Sequence, residues 1–183
     1  MSLRPIRLPS ARIRPAREAD LPAIQAIHAW HVRHGTATFD HASPELDTWR
    51  ERLRQANVDG LPWLVLEQGA DIFGYTFAAP AWQRASYRHT LESAIYLRPG
   101  MEGQGLGQRL LGALLQACAD GPWRQVLGLI GDSANHAAIA LYQRLGFEKV
   151  GVLRGVGFSH GRWLDSVLMQ RALSPAEPAP ERR

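Results

Sequence analysis

Residues 95–108 read Ile-Tyr-Leu-Arg-Pro-Gly-Met-Glu-Gly-Gln-Gly-Leu-Gly-Gln, and no other stretch of the chain restricts its fold as tightly. A strand-like run, Thr90–Leu97, stops at Pro99, and a helical pattern opens at about Leu106. Between them, alternating glycines let successive backbone N–H groups converge on one concavity with no Cβ in the way. The helix N-terminus adds partial positive charge, so residues 103–108 (Gly103, Gln104, Gly105, Leu106, Gly107, Gln108) read as a pyrophosphate seat. A glycine-rich connector without a ligand is the plain alternative for such a turn taken alone. A Rossmann-type dinucleotide turn fits poorly, because no third glycine stands two residues after Gly107 and the strand follows a hairpin mid-chain.

The flanking patterns predict an α/β arrangement. Arg12–Pro15 is a short strand, and a helix over about 20–34 places Leu21, Ile24 and Ile27 on one face before Gly35 ends it. Ser43-Pro44-Glu45 reads as an N-cap, first-turn proline and acidic first turn for a helix that presents Leu46, Trp49 and Leu53. The runs 63–67 and 72–78 form a hairpin. Residues 106–119 form a helix presenting Leu106, Leu110, Leu114 and Ala117. Strand 125–130, a helix over 136–145 closed by Gly146, and strands 148–154 and 163–170 complete a mixed sheet. A single domain is expected over 11–173, with a loose arm over 1–10 and a disordered tail over 174–183.

Composition closes off other classes. No apolar run approaches the roughly 20 residues needed to cross a bilayer, and the N-terminal segment lacks the apolar core of a secretory signal. The single cysteine, Cys118, excludes a disulfide framework and reads as a buried structural thiol. A cytoplasmic protein with no membrane partner is expected. The net charge of +4 comes from scattered arginines rather than a basic block alternating with aromatics, so no nucleic acid is expected. His28, His31 and His34 recur at helical spacing without a carboxylate or cysteine ligand, so no metal is expected and they read as solvated or capping residues.

The segment Glu102-Gly103-Gln104-Gly105-Leu106-Gly107 resembles the Arg/Gln-x-x-Gly-x-Gly/Ala signature of the GNAT superfamily of N-acetyltransferases, with Glu102 where a basic or amide residue is usual. Residues 135–147 are similar to its Asn-x-x-Ala-x-x-Leu-Tyr-x-x-x-Gly-Phe segment. More narrowly, residues 13–16, 36–39, 87–93, 131–133 and 157–165 resemble phosphinothricin N-acetyltransferases and their methionine-sulfone-acetylating relatives. Here Trp82 stands where a basic residue is typical, Ser159 where lysine is common, and Tyr142 where many members carry histidine. The resemblance implies a mostly antiparallel mixed sheet with flanking helices and a splayed strand pair that holds acetyl-CoA. It also implies a homodimer and a small amino-acid-like amine substrate. Carried over by position, Ile95, Tyr96 and Leu97 grip the pantetheine through their backbone, Asn135 lies beside it, and Tyr142 sits near the thioester sulfur. Phe39, Arg84 and Tyr87 would line the substrate pocket.

Acetyl transfer to an amine needs a proton acceptor for the amine and a proton donor for the departing thiol. On the strand over 90–97, Thr90, Glu92, Ala94 and Tyr96 share a face, so Glu92 is a carboxylate in a mainly apolar setting on the strand that leads into the turn. Burial would raise its pKa toward a general base's range, directly or through water; an ion pair with Arg84 or Arg88 is the alternative. Tyr142 is the candidate proton donor, or else a packing tyrosine. His160 and Arg162 either orient a site wall or stabilise a turn. Three functions stay open: a small-molecule N-acetyltransferase, a peptide or protein N-acetyltransferase of the same fold, and a non-catalytic acetyl-CoA-binding module.

Overall fold

A computed structural model describes residues 11–173; the arm and tail expected at the two ends lie outside the described residues. Seven strands form one sheet: β1 (Arg12–Pro15), β2 (Trp63–Gln68), β3 (Asp71–Pro80), β4 (Thr90–Leu97), β5 (Gln125–Gly131), β6 (Glu148–Ser159) and β7 (Arg162–Ala172). Their spatial order is β1-β2-β3-β4-β5-β7-β6, antiparallel throughout except for β4 and β5. Among the described residues four α-helices join them: α1 (Leu21–His34), α2 (Leu46–Val58), α3 (Leu106–Ala119) and α4 (His136–Arg144).

Strand alternation on β3 assigns the helices to the two faces of the sheet. Tyr75 meets Trp49 of α2 edge-on at 6.1 Å and stacks at 5.2 Å on Tyr96, which in turn touches His28 and His31 of α1. A Cβ at the adjacent Gly74 would instead lie 3.4 Å from the Leu110 side chain of α3. So α1 and α2 cover one face and α3 the other. α3 buries Leu106, Leu110, Leu111, Leu114, Leu115 and Cys118, with the thiol rather than Ala117 completing the inward stripe.

Three local expectations are revised. Helix α2 starts at Leu46 with Glu45 at the N-cap position, not Ser43, because the Ser43 hydroxyl is engaged by His28 Nδ1 at 3.1 Å. His28 is not solvated: it is 3% exposed, its Nε2–H donates to Asp40 at 3.1 Å, and burial holds its pKa below the ordinary histidine value. Strand β6 runs on to Ser159, five residues past the expected end, because register shifts at Lys149/Gly151 and Leu153/Gly157 absorb its irregular pattern.

The feature that makes a site is the β4–β5 pair. Its parallel register holds only from Thr90↔Gln125 to Ser93↔Gly128. Beyond that pair the strands part, while β4 stays paired to β3 as far as Leu97 and β5 to β7 as far as Gly131. The inner edges of residues 94–97 and 129–131 therefore leave backbone groups without a ladder partner on the side facing the gap.

Candidate active site

A cavity of about 420 Å³ fills the gap. Glu92, Ser93, Ala94, Ile95 and Tyr96 supply one wall, Leu129–Gly131 a second, and Asn135, Ala138 and Tyr142 of α4 and its cap a third. Residues 37–39, from the connection between α1 and α2, and Leu153, Val156, Gly157 and Ser166 close the rest.

Glu92 is half-buried, and burial alone raises its pKa above the ordinary carboxylate value. No ion pair with Arg84 or Arg88 forms: the Arg88 guanidinium donates to its own turn, at Ala85 O. An unpaired carboxylate with raised basicity, facing a cavity, is equipped to take a proton from a bound amine. Tyr142 is 4% exposed, packed against Phe147 at 4.8 Å and over Gly128, where any Cβ would fall 2.3 Å from its ring. Its phenol lies 3.2 Å from Ser93 O and 3.3 Å from Ser93 Oγ, and burial pushes its pKa up to about 12. Asn135 caps α4, its Oδ1 accepting from Ala138 N at 3.2 Å, and so stands at the cavity rim.

The glycine turn lies beside this cavity rather than in its lining. Gly103 and Gly105 hold φ values of 74° and 76°, in the left-handed region that favours glycine, and Gly105 is the N-cap of α3. No side chain caps that end, so the first-turn N–H groups remain for a ligand. A Cβ at Gly107 would touch Leu141 at 3.3 Å and Leu97 at 3.7 Å, which sets the start of α3 against the end of β4 and against α4. The turn thus continues the line of the β4–β5 gap. A cavity, a free strand edge and a capless helix end in sequence fit a thioester-bearing pantetheine and its pyrophosphate.

Of the residues singled out from the sequence, Phe39, Glu92, Ile95, Tyr96, Asn135 and Tyr142 line the cavity. Leu97 lies outside the lining, and its carbonyl accepts from His31 Nε2 at 2.8 Å. Arg84 and Tyr87 are also outside it, on the exposed connection before β4, where Tyr87 packs on Trp82 at 4.7 Å. His160 donates from Nε2 to Gly35 O at 2.9 Å and Arg162 pairs with Asp132, so both tie the β6–β7 hairpin to neighbouring loops. Sequence reasoning missed Thr38, Ser93, Ser166 and Gly157. Strand alternation points Ser93 away from Glu92, and only the parting of β4 from β5 brings both to one cavity. Gly157 has a sharper reason: a Cβ there would lie 2.4 Å from Phe39, so the glycine makes room for that ring. Among the described residues no cluster of three or more His, Cys, Asp or Glu could hold a metal, and no helix is long and apolar enough to cross a membrane.

Known proteins share this architecture. The acetyltransferase (GNAT) family model matches residues 24–147. A phosphinothricin N-acetyltransferase of Alcaligenes faecalis is 45% identical over 165 residues, 90% of this chain and 84% of that protein. An L-methionine sulfoximine/L-methionine sulfone acetyltransferase of Pseudomonas paraeruginosa is 38% identical over 177 residues, 93% of this chain and 99% of that protein. Among solved structures, Salmonella typhimurium yncA with its cofactor acetyl-CoA superposes with a TM-score of 0.89 at 29% identity, covering 94% of this chain and 99% of that one. A phosphinothricin acetyltransferase from Sinorhizobium meliloti in complex with acetyl-CoA gives 0.85 at 35% identity, covering 89% and 88%.

Proposed function

The chain belongs to the GNAT family of acetyltransferases, and on that premise we propose that it acetylates the amine of a small amino acid whose side chain ends in a neutral, sulfone- or sulfoximine-like tetrahedral group. Acetyl-CoA, when bound, supplies the acetyl group as a thioester. Glu92 collects the amine proton, directly or through one water. Free backbone N–H groups of the 94–97 edge polarise the thioester carbonyl, where negative charge grows only in the transition state. Tyr142 returns a proton to the sulfur. Phe39 forms the side-chain wall.

The observation that carries the choice of substrate is the cavity lining. Among the described residues it holds a carboxylate, two phenols and small hydroxyls, and no arginine, lysine or histidine. A phosphinate, which carries one full negative charge, would enter with no cation in that lining to offset its desolvation, whereas a sulfone needs only hydrogen-bond donors. Homodimerisation in the cytoplasm belongs to the same proposal. β6 is an edge strand, and Val150, Val156 and Phe158 on it, with Trp163 on β7, leave large apolar side chains exposed.

The test is a thiol-release assay with acetyl-CoA against methionine sulfone, methionine sulfoximine, phosphinothricin and short peptides. The expected order in kcat/KM puts the sulfone and sulfoximine first. A tenfold preference for phosphinothricin, about 1.4 kcal/mol, would place a cation at the site and refute the side-chain assignment. A preference for peptides would refute the small-molecule reading.

A further inference from the structure

We infer that Ser93 is a positioning residue for proton return: its oxygen receives the Tyr142 phenol at rest, and its hydroxyl turns to donate to that phenolate once the proton has gone. The inference rests on Tyr142 being the proton donor. Ser93 occupies the last paired register of β4 and β5, opposite Gly128, on the border between the closed sheet and the cavity. It is 3% exposed. Its hydroxyl donates to Leu127 O at 3.0 Å, which uses its single hydrogen and leaves the oxygen as an acceptor toward Tyr142 Oη, 3.3 Å away. Tyr142 Oη also lies 3.2 Å from Ser93 O, so both atoms that receive the phenol belong to one residue.

A tyrosine that gives up its proton here leaves a charged oxygen in a buried setting, and burial already opposes that charge. Carbonyl oxygens cannot help it; an O–H can. Among the described hydrogen bonds, the Ser93 hydroxyl is the O–H that reaches Tyr142 Oη. Rotation about one bond swings its hydrogen from Leu127 O to the phenolate while the oxygen stays in place. Tyr142 is held for the exchange by Phe147 and by the missing Cβ of Gly128.

The step balances. As the amine lone pair forms the C–N bond, the C–S bond breaks and its electron pair goes to sulfur. The Tyr142 O–H bond breaks and an S–H bond forms. An ammonium substrate loses two protons on becoming an amide. Glu92 passes one to solvent, and the other returns to Tyr142 through water, after which Ser93 turns back to Leu127 O.

The test is a double-mutant cycle on kcat with Ser93→Ala, Tyr142→Phe and the pair, alongside acetyl-CoA dissociation constants and melting curves. Ser93→Ala is expected to lower kcat about tenfold when Tyr142 is present and less than twofold in the Tyr142→Phe background, with acetyl-CoA affinity unchanged. Ser93→Thr, which keeps the hydroxyl, should restore kcat to within about threefold; Ser93→Cys, which fills the space with a weak donor, should not. A readout without ligand is the NMR signal of ring carbon Cζ in the protein labelled at its four tyrosines. The resonance lost in Tyr142→Phe should move in Ser93→Ala while that of the distant Tyr87 stays. A slowed Tyr142→Phe beside an unaltered Ser93→Ala, or equal Ser93→Ala losses in both backgrounds, would overturn the inference alone. An unaltered kcat in Tyr142→Phe would overturn the proton-donor reading and this inference together.

Discussion

Replacing Glu92 by glutamine keeps the shape of the side chain and removes its basicity, and the structure sets the size and sign of two consequences. The α-amine of a free amino acid, with a pKa of about 9, is neutral in only about one molecule in a hundred at pH 7. An enzyme that has lost its proton acceptor draws on that fraction, so kcat/KM should fall by about 10² at pH 7, at the lower end of the roughly 10²–10⁴ range for general bases. The deficit should shrink about tenfold per pH unit at first, to about twofold at pH 9. The second consequence concerns stability. Burial alone raises the pKa of Glu92 and no cation compensates it, so the folded protein binds more protons than the unfolded chain between the ordinary carboxylate pKa and the raised one. Wild-type stability therefore falls as pH rises through that window, and Glu92→Gln escapes the loss. The variant should be slower and more heat-resistant at pH 7, with its melting advantage gone below pH 4. Paired pH–rate profiles and melting curves give the answer. A flat deficit from pH 7 to 9, or a variant that melts lower at pH 7, would refute the reading of Glu92 as an unpaired base.

Other perturbations probe the remaining parts. Gly105→Ala should weaken acetyl-CoA binding at least tenfold by calorimetry and cost about 1–2 kcal/mol from its left-handed backbone. Gly60→Ala, equally left-handed at φ 67° and in open space, should lose similar stability and no affinity; equal affinity in both variants refutes the seat. Gly157→Ala would drive Phe39 off its site, raising KM for the amine about tenfold with acetyl-CoA affinity unchanged; an unmoved KM in steady-state assays would take Phe39 out of the substrate wall. Arg14→Met removes the cation shared by the buried carboxylates Asp20 and Glu67, whose pKa values its hydrogen bonds lower. That stability exists above the ordinary carboxylate pKa and is lost as pH falls, so the variant should melt several degrees lower at pH 7 and the gap should close toward pH 3.

Most of the element plan was legible because it rests on local periodicity. Leu21, Ile24 and Ile27 recur at helical spacing and are buried, and the glycines at 103 and 105 take the left-handed backbone that their turn requires. Residues whose partners lie far along the chain were not legible. Ser43 looks like a cap until His28, 15 positions away, claims its hydroxyl. Arg84 could reach Glu92 in sequence terms, yet the turn before β4 leaves it at the surface.

By itself the sequence determined that a strand, a glycine-rich turn and a helix would follow one another, and that a carboxylate would lie on that strand upstream of the turn. Spacing along one backbone segment is enough for that, since strand and helix geometry convert residue number directly into direction. Only the tertiary structure decided that β4 and β5 separate after Ser93↔Gly128, opening a cavity where Glu92 and Ser93 meet a tyrosine 49 residues beyond Ser93. That outcome depends on how α4 packs its ring over Gly128 and on how β7 holds β5 away. Such contacts are set by shape in three dimensions, and no periodicity along the chain encodes them.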